Sequence, residues 1–294
     1  MISIIIPFYN EGKNIPILLQ EIDDVMRKEQ KEFEVILVDD GSNVRSQKSE
    51  VRSQNVHLFT HKKRMGKGEA LRTGIKHAKG EIIVFMDGDL QDDPEDLKKF
   101  IQKIQDGADL VNGIREKRKD SFLIKTYSFF AYIVLKHLFH SPFTDINCGF
   151  KIFKKETLDD FPLYGNNFRF FPLSVYYRGF EVSEVVVHNR KRMYGVSKFG
   201  PSKLFTGILD MTTAYFVYIF AERPLHFFGM IGGTLFLIGF FISLYLAFER
   251  IFFNILLYRR PLLQLGIVLI IVGIQIIMTG LIGELIVYLN KNKK

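Results

Sequence analysis

Four aspartates crowd into the eight residues MDGDLQDD (86–93), directly after the apolar run EIIVF. Carboxylates packed at the end of a buried strand repel one another unless a cation sits among them. In an extended segment Asp87, Asp89 and Gln91 share one side, because side chains alternate with period two. Such hard oxygen donors suit Mg²⁺ or Mn²⁺, which keep several waters and share their site with substrate phosphates. Gly88 is expected to let the backbone approach a ligand closely. Asp92 and Asp93 are read differently, as caps of the helix that Pro94 opens.

The Asp-x-Asp pair draws meaning from its company. PFYNE (7–11) follows one apolar run and VDDGS (38–42) ends another, so Tyr9, Glu11, Asp39 and Asp40 can reach one crevice. An aromatic ring and carboxylates suit a base and ribose hydroxyls, beside a metal that suits a diphosphate. RMGKGEALRTG (64–74) is similar to a phosphate-cradling turn at the start of a helix, with Gly66 and Lys67 at its centre. Its spacing is not that of a Walker A loop. Further on, HNRKRMYGVSKFG (188–200) puts Arg190, Arg192 and Lys198 around a glycine turn. A basic loop of that kind can close over an anionic donor and steady its leaving diphosphate.

The elements that must position these groups alternate. β-rich runs at 2–6, 34–40, 56–60, 81–87 and 109–113 are interleaved with helical spacing over Ile15–Lys28, Gly68–Ala78 and Pro94–Gln105. Such alternation predicts an α/β fold with a largely parallel sheet and ligands at the carboxyl ends of its strands. An apolar, partly basic helix is expected over 121–138, and further strands and loops over 144–188 return to the sheet.

Length and composition frame the rest. The 294 residues carry a formal charge of +8, which suits a polyanionic partner such as a phosphorylated substrate or an anionic leaflet. Nucleic acid would account for the charge but for neither the carboxylates nor the apolar C-terminal third. The one cysteine, Cys148, excludes an internal disulfide framework. From Phe227 to Phe248 no charge interrupts 22 residues, roughly 33 Å of helix against a bilayer core of about 30 Å. A second such stretch runs from Leu262 to Leu289, and the two predict membrane spans at 227–248 and 262–289. Before them Lys203, Thr206, Asp210 and Thr213 form a narrow polar stripe on an otherwise apolar segment, which predicts an interfacial amphipathic helix over 203–222.

The expected organisation is a catalytic domain over 1–202, that helix, and a transmembrane hairpin over 223–294. The first apolar run is too short for a signal peptide, so the catalytic domain is expected at the cytoplasmic face. Lys291, Lys293 and Lys294 agree with that orientation, while Arg250, Arg259 and Arg260 between the spans oppose it. Gly266, Gly273 and Gly280 recur every seven residues, and Gly229 and Gly233 form a GxxxG. Both stripes favour close helix packing and are compatible with a homo-oligomer through the spans.

The ordered set PFYNE, VDDGS, the glycine turn at 66–68, MDGDLQD, DINCGFKIFKKE (145–156) and RMYGVSKF (192–199) resembles the inverting family 2 glycosyltransferases with a GT-A, Rossmann-like fold. Within them it is most similar to the polyprenyl-phosphate sugar transferases, which include dolichol-phosphate mannose synthase and bacterial two-span undecaprenyl-phosphate glucosyltransferases. The resemblance covers essentially the whole chain. It implies that Pro7, Tyr9, Glu11 and Asp39 hold the nucleoside of a nucleotide-sugar donor. It assigns Asp87, Asp89 and Gln91 to the metal and diphosphate, and Arg192 and Lys198 to the donor phosphates. Arg115, in NGIR, matches the arginine for the acceptor phosphate, with Lys125 and Ser128 as further acceptor groups. Asp145 matches an aspartate near the transferred sugar. The chain departs from its relatives at Asn189-Arg190-Lys191-Arg192, where many read His-Arg-Pro-Arg, and at Phe168-Arg169, where many carry a histidine before the arginine.

The implied reaction is transfer of a sugar from a UDP- or GDP-linked donor to a polyprenyl monophosphate, with inversion. The alternative is a glycolipid synthase acting on a lipid hydroxyl, in which Asp145 would serve as base. A processive polysaccharide synthase is disfavoured by the absence of tryptophan and by only two spans. A non-catalytic membrane adaptor is disfavoured by the intact Asp87, Asp89, Arg192 and Lys198.

Overall fold

The computed structural model describes residues 1–43, 55–115, 141–159, 161, 167–190, 213, 223–254, 256 and 260–291. The chain divides into two compact units, Met1–Asp210 and Met211–Lys294.

The first unit is built on a seven-stranded sheet. Its strands are β1 (Ile2–Phe8), β2 (Phe33–Asp39), β3 (Val56–Thr60), β4 (Ile82–Phe85), β5 (Leu110–Arg115), β6 (Lys151–Lys154) and β7 (Val182–Val187), in the order β3-β2-β1-β4-β6-β5-β7. All pairings are parallel except those of β6, which runs antiparallel to both β4 and β5. The chain builds outward from β1 to β3, then returns to place β4 on the other side of β1. That reversal opens a crevice at the carboxyl ends of β1 and β4.

Period two along β1 sorts its side chains between two helical layers. Ile2, Ile4, Ile6 and Phe8 join the core cluster with α1 (Ile15–Lys28) and α3 (Leu97–Gln105). Helix α1 buries Ile15, Leu18, Ile22, Val25 and Met26, the three-and-four spacing of a single apolar face. Ile5 points the other way, against α2 (Lys67–His77), where its side chain fills the space a side chain at Gly74 would need. On that face Phe85, Phe153 and Phe171 of α4 (Phe171–Tyr177) meet edge to face at 4.8 and 4.7 Å.

The predicted strands and helices of the parallel half are present, with ends moved by a few residues. The predicted strand over 81–87 is shorter, because pairing stops at Phe85 and residues 88–89 turn. The antiparallel β6 inserted between β4 and β5 has no counterpart in the alternating pattern. The expected helices over 121–138 and 203–222 lie outside the described residues, Thr213 apart.

The second unit is a hairpin of α5 (Pro224–Phe253) and α6 (Pro261–Lys291), two helices long and apolar enough to cross a membrane. The seven-residue glycines of α6 do face a neighbour, namely α5. A Cβ on Gly273 would lie 2.7 Å from the Gly232 carbonyl, and one on Gly239 would meet the Gly266 backbone. A seven-residue repeat of small residues on both helices is what close antiparallel contact requires. The GxxxG of Gly229 and Gly233 takes no part in this seam: Gly233 has open space around it, and Gly229 meets only Leu225 of its own helix.

Candidate active site

Beyond Ile5 the strands β1 and β4 part. Ile5 accepts a hydrogen bond from Met86 N, but β4 turns away just beyond, where Pro7 has no N–H to offer. The chain then bends at Asn10, whose φ of 59° is left-handed. Asn10 is locked to the end of β2 by Ser42 Oγ, which accepts from its N–H at 2.9 Å, and by its own Oδ1, which accepts from Asn43 N at 3.0 Å. Glu11 accepts from Asn14 Nδ2 at 2.6 Å, and Arg64 lies 4.5 Å from the centre of the Tyr9 ring. These bonds gather Pro7, Tyr9, Glu11 and Asp39 at neighbouring strand ends.

Asp39 and Asp40 are both buried, with different tasks. Asp39 Oδ1 accepts from Ser42 N and Oγ, closing the turn after β2. Asp40 accepts from Met65 N and Gly66 N at 2.8 Å each, and from His61 Nδ1 at 2.9 Å. Those bonds spend its carboxylate on the loop before α2. Asp40 therefore positions Gly66, whose φ of 99° suits glycine, and through it Lys67.

Lys67 reaches the acidic loop, where its ammonium pairs with the Asp87 carboxylate. Burial would raise the Asp87 pKa, but the Lys67 charge in contact with it, helped by Arg115 and Lys151, holds the group below the usual carboxylate range. Gly149 stands over the pair: a Cβ there would lie 2.7 Å from Asp87 Oδ2 and 3.2 Å from Lys67 Nζ. The Phe168 ring is 5.2 Å from the same ammonium.

The rest of MDGDLQDD differs from the extended reading. Leu90 is buried with a left-handed φ of 59°, so the segment turns instead of alternating. Within this turn Asp89 Oδ1 accepts from Gln91 N at 3.2 Å. At Gly88 a Cβ would meet Phe8, Ile15 and Ile6 of the core, so packing alone already calls for glycine there. Asp93 caps the short 3-10 turn at Pro94, accepting from Glu95 N, as expected. Asp92 does not cap. It is buried under the turn, accepts from Asp87 N at 3.1 Å, and is pushed up to about 7 by burial and then by the Asp87 charge.

The loop is also clamped to the end of β7. Asp92 bridges to Asn189, Arg190 N donates to Gln91 O at 2.9 Å, and the Arg190 guanidinium spans Glu21 and Asp93 at 2.7 Å each.

The second charged pair lies at the end of β5. Arg115 Nε and Nη2 grip the two oxygens of Asp145 at 2.7 and 2.8 Å. Residues 145–149 run from this pair to Gly149 beside Asp87, so one short loop touches both. Beneath it lies Lys151, 2 % exposed, its ammonium donating to Asn112 Oδ1 at 2.6 Å, to Ile146 O at 3.2 Å and to Cys148 O. Burial draws Lys151 down to about 8 and pushes the Cys148 thiol up to about 12, leaving the thiol unreactive at neutral pH.

Of the expected site residues, Pro7, Tyr9, Glu11, Asp39, Asp40, Gly66, Lys67, Asp87, Asp89, Gln91, Arg115 and Asp145 all lie at carboxyl ends of strands or in loops that touch them. Lys125, Ser128, Arg192 and Lys198 lie outside the described residues. Gly149, Lys151 and Asn112 were not singled out by sequence, although Gly149 and Lys151 fall inside the quoted DINCGFKIFKKE, and Asp92 was read only as a cap. Among the described residues no three His, Cys, Asp or Glu side chains form a protein-only metal cage. Two carboxylates and an amide oxygen within five residues nevertheless suit Mg²⁺ or Mn²⁺ when water and phosphate complete the shell.

Known proteins share this fold and sequence family. Glucosyl-3-phosphoglycerate synthase from Mycobacterium tuberculosis, solved with Mn²⁺ and UDP-glucose, superposes with a TM-score of 0.57 at 16 % identity, over 74 % of this chain and 78 % of that one. Mannosyl-3-phosphoglycerate synthase from Rubrobacter xylanophilus gives 0.56 at 14 % identity, over 73 % and 72 %. These likenesses establish the GT-A type of fold. In sequence the chain is 32 % identical to a dodecaprenyl-phosphate galacturonate synthase from Rhizobium johnstonii, over 97 % of this chain and 87 % of the relative. The family described as "Glycosyl transferase family 2" matches residues 3–162. With its motifs in order on this sheet, the chain belongs to glycosyl transferase family 2.

Proposed function

We propose that the protein transfers a sugar from a UDP- or GDP-linked donor to a polyprenyl monophosphate, inverting the anomeric centre, at the cytoplasmic face of a membrane. The observation that carries this reading is the pairing of Lys67–Asp87 with Arg115–Asp145 across the loop 145–149. In this reading one pair meets the donor diphosphate and the other a second anion.

Pro7, Tyr9, Glu11 and Asp39 hold the nucleoside, while Gly66 and Lys67 approach its phosphates. Asp87, Asp89 and Gln91 are the residues that would hold Mg²⁺ or Mn²⁺, and the bound ion would offset charge on the leaving diphosphate. Arg192 and Lys198 grip the donor phosphates, and Arg115 with Lys125 and Ser128 receives the acceptor phosphate. A phosphate oxygen forms the new bond to the anomeric carbon as the bond to the diphosphate breaks. That oxygen is already anionic near neutral pH, so the residues need only bring two anions together and orient them. The two apolar helices and the segment 203–222 would keep the cleft beside an acceptor that stays in the bilayer.

A lipid hydroxyl acceptor would need a general base, with Asp145 the nearest choice. Both Asp145 oxygens are engaged by Arg115, which favours the phosphate. The test is transfer of radiolabel from a panel of UDP- and GDP-sugars to undecaprenyl or dodecaprenyl phosphate by the full chain in detergent. Label in the lipid phase that disappears with EDTA is expected. Label on diacylglycerol and none on any lipid phosphate would overturn the reading.

A further inference from the structure

We propose that Lys151, Asn112 and Glu184 are positioning residues that set the separation between the donor and acceptor halves of the site by fixing the loop 144–149. The inference rests on the acceptor reading above and assigns work to three side chains which that reading does not use.

A buried ammonium is costly to place, and neutral acceptors repay that cost poorly. A core that needed only volume at Lys151 would be served by Met or Leu. The Lys151 ammonium instead draws in the carbonyls of Ile146 and Cys148 and the side-chain carbonyl of Asn112. Three acceptors match its three donors. Asn112 passes the restraint on: its Nδ2 donates to Asp145 O at 2.9 Å and to Glu184 Oε1 at 3.3 Å. From β7, Glu184 accepts from Thr144 N at 2.9 Å and Thr144 Oγ1 at 2.8 Å, and more distantly from Asp145 N. The loop is thus held by its N–H groups at one end and by its carbonyls at the other.

What the loop carries gives the network its purpose. Its first part presents Asp145 to Arg115, and its last residue, Gly149, lies against Asp87 and Lys67. An attacking phosphate oxygen must come within about 3–3.5 Å of the anomeric carbon, and an error of about 1 Å can cost on the order of 100-fold in rate. Three residues on three strands (β5, β6 and β7) therefore hold one dimension, the gap between the two anions.

The experiment uses the full chain in detergent, with Lys151→Met, Glu184→Ala and Glu184→Gln. Melting temperature, kcat for the lipid phosphate, and KM for donor and for acceptor are measured on each. Lys151→Met is expected to lower kcat about 10- to 100-fold while leaving the donor KM within about threefold. Glu184→Ala should lose about 10-fold in kcat, and Glu184→Gln, which keeps an oxygen acceptor, should recover most of it. A folded Lys151→Met with kcat within twofold of wild type would overturn the proposal. So would losses that merely follow the folded fraction. Should Lys151→Met not fold, the Glu184 pair decides, and equal activity in both variants counts against the network. A wild-type chain that moves no sugar to lipid phosphate sinks the acceptor reading and this inference together. An active wild type with unaffected variants sinks the inference alone.

Discussion

The two ends of the sheet both bury carboxylates, and they satisfy them differently. At the amino end Glu34 is 4 % exposed and accepts from Ser3 Oγ at 2.6 Å and Lys79 N at 2.7 Å, while Ser3 Oγ accepts from Gly80 N. The donors bonded to it are a neutral hydroxyl and amide, fixed in the scaffold. At the carboxyl end Asp39 and Asp40 are held by backbone amides of adjacent turns together with Ser42 Oγ and His61 Nδ1. Three others at this end are answered by cationic side chains, Asp96 by Lys99, Asp145 by Arg115 and Asp87 by Lys67. Asp87 is the most exposed of these acids. Its counter-charge is a lysine side chain, about a third exposed, that can exchange one partner for another. A carboxylate answered by fixed dipoles is settled when the chain folds, whereas one answered by an exposed ammonium can still change partner.

That contrast can be broken at either end. The largest effect is expected for Asp89→Ala, which should lower transfer by about 10²- to 10³-fold or more, since stabilisation of the leaving charge is lost. Its melting temperature should stay near wild type, because Asp89 is part-exposed in a turn. Near-normal turnover would remove the acidic loop from the chemistry. A smaller effect is expected for Gly149→Ala, whose Cβ must displace the Asp87 carboxylate. Overpacking there should cost about 1–3 kcal/mol of stability together with roughly tenfold in kcat. Unchanged kinetics would mean that Asp87 does not need its present place. Least affected in activity should be Glu34→Ala. It strands the Ser3 hydroxyl and the Lys79 amide at a cost of about 1–3 kcal/mol, seen as a lower melting temperature. Its kcat/KM per folded molecule should stay within about twofold, and a selective loss of activity would erase the distinction between the two ends.

Legibility in the sequence followed the same division. Residues at strand ends were readable, because each of PFYNE, VDDGS and MDGDL joins an apolar run to polar groups within a few positions. Asp92 was read with Asp93 as a cap of the helix that Pro94 opens, and the period-two reading of Asp87, Asp89 and Gln91 assumed an extended chain. Leu90 breaks that assumption with a left-handed φ and folds Asp92 underneath. The Asn112, Lys151 and Glu184 network was invisible for another reason. Its members lie on β5, β6 and β7, separated by 39 and 33 positions, and meet only because β6 runs antiparallel beside β5. Nothing local marks a lysine in KIFK as buried. In the hairpin the heptad glycines of α6 were readable as a contact stripe, whereas the GxxxG of α5 suggested a face that the seam does not use.

The hairpin has one further consequence. Near its open end Glu284 of α6 accepts from Leu225 N, an amide in the first turn of α5. Near its turn Glu249 pairs with Arg260 and accepts from Tyr245. Between these points the backbones touch at Gly232 with Gly273 and at Gly239 with Gly266. Sliding one helix by a single turn, about 5.4 Å, would undo both end pins and push larger side chains into the glycine contacts. These contacts together select one vertical register for two helices that are each long and apolar enough to cross a membrane.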